Sequence, residues 1–157
     1  MNVKEFKEAT CPKSACWARE SFKDAGIQVN MGSGWNAFLI DSHFSNKHKC
    51  LSKRKTRKPG KKGTREGGFC DAIGIPDQNQ NCRFRLIEAK AGGMSSTAAE
   101  QLQRGADYLE SIIGHCRKIR LTAEIYTDSL PAVTSRRRSH VKLCSGKMRV
   151  PIEVRSA

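Results

Sequence analysis

Three residues of this 157-residue chain have types and spacing that suit phosphate or water chemistry: Asp71, Glu88 and Lys90. They lie in FCDAIGIPDQNQNCRFRLIEAK, where two apolar runs flank the polar stretch Asp77-Gln78-Asn79-Gln80-Asn81-Cys82. A stretch of that composition favours a turn, and the flanking runs then pair as antiparallel strands. With the turn centred between Asn79 and Gln80, paired positions sum to 159, and Asp71 stands opposite Glu88. Directly opposed Cβ atoms lie ~4.5–5.5 Å apart, so two like charges there repel unless a cation separates them or one takes a proton. Side chains two apart on a strand share a face, which sets Lys90 beside Glu88. Two carboxylates and an ammonium at one strand end suit Mg²⁺ or Mn²⁺. Such an ion lowers the pKa of a bound water and neutralises charge on a phosphodiester. Lys90 would orient the attacking water or stabilise the phosphorane; the sequence leaves both roles open. Asp77, the other acid of the segment, falls in the turn opposite Cys82, six residues from Glu88. At ~3.4 Å per residue that is roughly 20 Å, too far to share an ion.

The elements that must position these groups can be read from periodicity. Residues 13–25 read as a helix with Ala15, Ala18, Phe22 and Ala25 on one stripe and Gly26 as its stop. Strands are expected from Trp35 to Ile40, from Phe69 to Ile75, from Arg83 to Ala89 and from Lys118 to Thr127. Thr97-Ala98-Ala99-Glu100 has the form of a capping box. It opens a helix whose stripe runs Ala98, Leu102, Ala106, Leu109 and Ile113, and Gly114 ends it. Val141, Leu143, Val150 and Ile152 suggest an edge hairpin in a C-terminal extension over 132–157. The resulting order describes one α/β domain over 1–157, a central mixed four-stranded sheet flanked by helices on both faces.

Charge points to the partner. Lys+Arg number 29 against 15 Asp+Glu, a net charge of +14. Nucleic acid is the leading partner for such an excess. Residues 46–65 hold ten of those cations and no acid, among them Lys53, Arg54, Lys55, Arg57, Lys58, Lys61 and Lys62. With Pro59, Gly60 and Gly63 and no aliphatic periodicity, this segment reads as a mobile arm that grips phosphates. No apolar run approaches the ~18 residues of a membrane span, and the first residues lack the basic-then-apolar pattern of a secretory signal. No membrane partner is therefore expected. Seven cysteines at irregular spacing without a CxxC form neither a disulfide framework nor a zinc finger. They read as free thiols in a reducing cytoplasm.

Asp71, followed by Glu88-Ala89-Lys90 at the end of the next strand and then by a helix and another strand, resembles the PD-(D/E)XK nuclease superfamily. The likeness runs over about residues 13–127. It implies a restriction endonuclease-like core, in the order helix-strand-strand-strand-helix-strand, and a metal-dependent nuclease acting mostly on DNA. It also implies that Asp71 and Glu88 bind the metal, that the Ala89 carbonyl joins them, and that Lys90 assists catalysis. The first helix of that family often supplies another acid; here Glu20 is the candidate, with Asp24 one turn along. Asp41 is a further candidate ligand. The RecB-type subgroup has Gln-x-x-x-Tyr in the helix after ExK. This chain departs from that spacing, but Gln101 and Tyr108 share a helical face and are expected to line the substrate groove. Structure-selective or nonspecific cleavage is expected at this size, and a resolvase-like enzyme would act as a homodimer. The rival expectation is a protein of the same fold that binds nucleic acid without cutting it.

Overall fold

A computed structural model describes residues 1–41, 68–92, 96–114, 118–128 and 140–157. The basic segment 46–65, with all seven of its named candidate cations, lies outside the described residues. The chain runs α1 (Val3–Ala9), β1 (Trp17–Arg19), β2 (Ser21–Asp24), β3 (Ile27–Asn30), β4 (Trp35–Phe38), β5 (Ala72–Pro76) and β6 (Arg83–Ala89). It continues through α2 (Ser96–Ile113), β7 (Arg120–Thr127), β8 (His140–Leu143) and β9 (Met148–Ser156). Seven strands form one mixed sheet in the order β1-β4-β5-β6-β7-β9-β8, and β2 and β3 make a separate hairpin. The four expected strands are β4, β5, β6 and β7, side by side in that order. Pairing is antiparallel from β4 to β6 and parallel from β6 through β7 to β9.

Two apolar clusters occupy the two faces of the sheet. On one, Phe6 of α1 and Ala98, Leu102, Ala106 and Leu109 of α2 pack on Phe38, Ile73, Ile75, Phe84, Leu86 and Ile125. The α2 residues recur at helical spacing, so one stripe meets the sheet, and each buried leucine contributes about 1.5–3 kcal/mol. Gly105 is the point of closest approach: a Cβ there would collide with the Cys70 sulfur, one residue before Asp71. A glycine in α2 thus lets the helix lie against the strand that carries the site. On the other face, Phe22, Val29 and Met31 of the hairpin pack on Ala37, Ala72, Ile87, Ala89 and Tyr126.

Three expectations are corrected. Residues 13–25 are not a helix. A short 3₁₀ turn, Ser14–Cys16, leads into β1 and β2, and Glu20 between them has φ 64°. Gly26 is the second residue of a two-residue hairpin loop between the paired Asp24 and Ile27, with φ 49° at Ala25 and 76° at Gly26. Positive φ at both central residues is the turn that matches strand twist, and glycine takes it without strain. The alanine stripe mimicked a helical period because strand residues were few and short. Consequently helices cover only one face among the described residues, and a hairpin covers part of the other. Second, the sheet has seven strands and not four: β9 is an interior strand, parallel to β7, and of the C-terminal pair β8 alone lies at an edge. Third, Cys11 and Cys82 are each in a disulfide, so free thiols throughout do not hold. Cys16, Cys70 and Cys144 carry thiols. No helix among the described residues is long and apolar enough to cross a membrane.

Candidate active site

The register of β5 and β6 is the one the turn demanded: Ala72 pairs with Ile87, Ile73 with Leu86 and Gly74 with Arg85. Continued by one residue, it puts Asp71 against Glu88. The two are joined through the backbone. The Asp71 amide donates to Glu88 Oε2 at 3.2 Å, and the Ala89 amide donates to Asp71 Oδ2 at 2.6 Å. Asp71 is 9% exposed and Glu88 2%. Lys90 Nζ lies 3.4 Å from Glu88 Oε1, while its own amide donates to the Tyr126 carbonyl at 2.9 Å. That bond extends the β6–β7 ladder past Ala89 and fixes the origin of the lysine side chain.

Electrostatically the site gathers more carboxyls than cations. Burial drives the Asp71 carboxyl up to about 9, helped by a side-chain hydrogen bond with Asp24 and by the Glu88 charge. Burial also lifts Glu88, to about 7; Lys90 pulls it down and Asp41 pushes it up. The Cys70 thiol beside them is raised by burial first and then by the charges of Glu88 and Asp71. Four acids therefore bear on one strand end, with Lys90 as the cation in contact.

Asp24 and Asp41 arrive from different elements. Asp24 closes β2 at the hairpin tip and reaches round to Asp71. Asp41 follows β4, and its Oδ1 would lie 3.0 Å from a Cβ placed on Gly68. Gln101 Nε2 would lie 3.5 Å from the same point, so Asp41 and Gln101 flank Gly68, three residues before Asp71. Gln101 is half-buried there, and its backbone carbonyl accepts the Cys70 amide at 3.0 Å. Gln101 thus lies near the site's edge.

Two expected site residues are elsewhere. Glu20 leaves the helix reading together with the helix. Its amide donates to the Trp35 carbonyl at 2.9 Å, and Trp35 pairs with Pro76. That is the far end of β5, about 14–17 Å from Asp71 at strand rise. The acid of this segment that bears on Asp71 is Asp24, the alternative named beside Glu20. Tyr108 is 3% exposed, stacked 6.4 Å from the Phe38 ring and edge-on to Phe69 at 5.8 Å. It is a core residue of the helix face and lines no groove.

Asp77 is far from the pair, as the turn argument required. It accepts from Asn36 Nδ2 at 2.7 Å and from Arg19 at 3.0 Å. The Asn36 bond, then Arg19, holds its carboxyl below the usual range.

Among the described residues, no three His, Cys, Asp or Glu side chains are grouped closely enough to form a ready cage for a metal. What is present is a pair of buried carboxylates, both raised and both oxygen donors. Such a pair fits a hard divalent ion, whose charge would offset the burial that now favours their protonated forms. No family model matches the chain, and no curated protein or solved structure is significantly similar to it.

Proposed function

We propose that this protein is a metal-dependent nuclease, hydrolysing phosphodiester bonds in nucleic acid, with DNA favoured, in the manner of the PD-(D/E)XK enzymes it resembles. The observation that supports the reading is the convergence of Asp71, Glu88 and Lys90 at one end of β5 and β6. Two acids this close and this buried are a liability for folding unless their charge is used. Asp71 and Glu88 would hold Mg²⁺ or Mn²⁺, with the Ala89 carbonyl beside them. When bound, the ion would supply a polarised water and neutralise charge on the phosphate.

The remaining roles belong to the chain. Lys90 keeps its ammonium 3.4 Å from Glu88, so it can orient the attacking water or take up charge on the phosphate. Asp24 shares a hydrogen bond with Asp71. It would position that carboxylate, giving the proton between them up when a cation arrives. Gln101 stands at the border of the site, and its buried side-chain Oε1 accepts no hydrogen bond from the described residues.

Plasmid cleavage tests the reading. Nicking or linearisation is expected with Mg²⁺ or Mn²⁺ and none with EDTA. Lys90→Ala should lose cleavage and retain binding in a mobility-shift assay. Cutting that survives EDTA, or survives Lys90→Ala at full rate, would reject the assignment. Binding with no cutting under any metal would leave the rival reading, a binding protein on the same fold.

A further inference from the structure

The sheet face that carries the hairpin is only partly covered by it. The hairpin packs as far as Tyr126 of β7. Beyond it, between the end of β3 and the starts of β6, β7 and β9, lies a recess of about 1070 Å³. Its walls include Trp35, Arg83, Arg85, Arg120, Arg149 and Arg155.

The arginines fall into two sets. Arg85 and Arg155 are neutralised. Arg85 grips the buried Glu124 at 2.6 and 3.0 Å and donates to the Tyr126 hydroxyl at 2.7 Å. Arg155 meets Glu124 at 2.8 Å and Glu153 at 2.8 Å. Two cations and two acids cancel there. The second set does not cancel. Arg83 pairs with Arg120 across β6 and β7. The β7–β9 offset, Ala123 with Ile152, brings Arg149 beside Arg120 when carried back three residues. Arg149 in turn pairs with Lys142 of β8. Four cations thus cross four adjacent strands at one level, at ~4.8 Å per strand. All four are exposed, and among the described residues none forms a salt bridge.

A row of exposed like charges on neighbouring strands destabilises the sheet it sits on. It is relieved by a ligand that brings several negative charges in a line. Arginine matches phosphate through its planar fork, whereas carboxylates on a flexible peptide would be held less specifically. Arg83 and Arg85 lie over the Trp35 ring at 5.5 and 4.9 Å, so the planar groups beside the row are guanidiniums held on an indole. Phosphates in line with planar bases to stack are what a single nucleic acid strand offers, and a recess takes a strand more readily than a rigid duplex. We infer that this recess binds single-stranded nucleic acid, with Arg83, Arg120, Arg149 and Lys142 on successive phosphates. The recess lies at the opposite ends of β6 and β7 from Glu88 and Lys90. It is a second site, and the inference does not rest on the cleavage reading.

The test is binding of a fluorescein-labelled oligothymidylate to the full chain in EDTA, followed by anisotropy across a salt series. The variant is R83Q/R120Q/R149Q. A control, K4Q/K13Q/K23Q, removes the same charge from exposed lysines elsewhere. For three phosphate contacts on a single strand, the arginine variant should weaken binding about 100-fold at 0.1 M salt and reduce the salt slope by about 2. The control should change both far less. An equal loss in the control, or no loss in the arginine variant, would overturn the inference. So would equal sensitivity of a blunt duplex, or competition by polyglutamate as effective as by unlabelled oligothymidylate. Circular dichroism establishes that the exposed substitutions leave the fold intact. Because no cleavage is scored, failure here leaves the nuclease reading standing, and failure of cleavage leaves this one.

Discussion

Two groups of buried acids sit on the same sheet, and they are built to opposite rules. Glu124 is fully buried and has two guanidiniums on it, with the Thr122 hydroxyl adding a third donor at 3.3 Å. Gly74 makes the arrangement possible, since a Cβ there would stand 3.1 Å from Arg85 Cβ and 3.5 Å from the Trp35 ring. Asp71 and Glu88 are almost as buried, but the one ammonium beside them contacts Glu88 alone, and Asp24 and Asp41 raise them further. A buried acid with its full complement of cations is a structural brace. A buried pair without that complement is poised to receive charge from outside. Burial alone does not separate the two cases; the count of donors does.

The contrast can be broken or sharpened experimentally. The largest effect is expected at the poised pair. Glu88→Gln should lower cleavage by about three orders of magnitude, equivalent to ~4 kcal/mol of barrier, with no loss in the urea midpoint. A midpoint that collapses would make Glu88 a brace. Next comes Glu124→Gln, which strands two guanidiniums and should cost about 3–5 kcal/mol of stability. Cleavage per folded molecule should stay near that of the parent, which urea titration and single-turnover assays can separate.

The third effect is on pH. Asp71 and Glu88 have carboxyls raised on folding, so the native state holds protons that the unfolded chain has released. Without metal, stability should therefore fall as pH rises from about 4 toward 9, at up to ~1.4 kcal/mol per pH unit for each retained proton. Above about 7, where Glu88 has ionised, the fall should come from Asp71. Asp71→Asn should remove that upper part of the slope, and Mn²⁺ should flatten it in the parent chain. Thermal melts at pH 5, 7 and 9 decide this. The smallest effect is expected at Asp77→Asn. Its exposed ion pair with Arg19 should be worth little, leaving the melting temperature and cleavage close to the parent's.

The parts of the site carried by local pairing were legible before any coordinates. A polar hexapeptide between two apolar runs fixes a turn, and a turn fixes register. Asp71, Glu88 and Lys90 follow from register alone, and so does the exclusion of Asp77. The helix α2 was legible for the same reason: its stripe from Ala98 to Leu109 is long and ends at a glycine. The first segment was not legible. Ala15, Ala18, Phe22 and Ala25 fit a helical period, yet three- and four-residue strands cannot show enough alternation to compete. The arginine row was hidden for a different reason. Arg83, Arg120 and Arg149 are far apart in sequence; the first two meet through the β6–β7 pairing, and Arg149 joins them because β9 inserts beside β7. Tyr108 was misplaced because a shared helical face does not say whether that face meets a groove or a core.

That insertion of β9 also governs the order in which the molecule can be put together. Residues 152–156 supply the hydrogen-bonding neighbour of 123–127, and the Ala157 amide closes the ladder on the Thr127 carbonyl at 2.9 Å. During synthesis β7 emerges from the ribosome long before its outer neighbour does. Until then it presents a bare edge of the kind that recruits other strands. Completion of the sheet thus waits for β9, and a chain without residues 148–156 would leave β7 as an open edge.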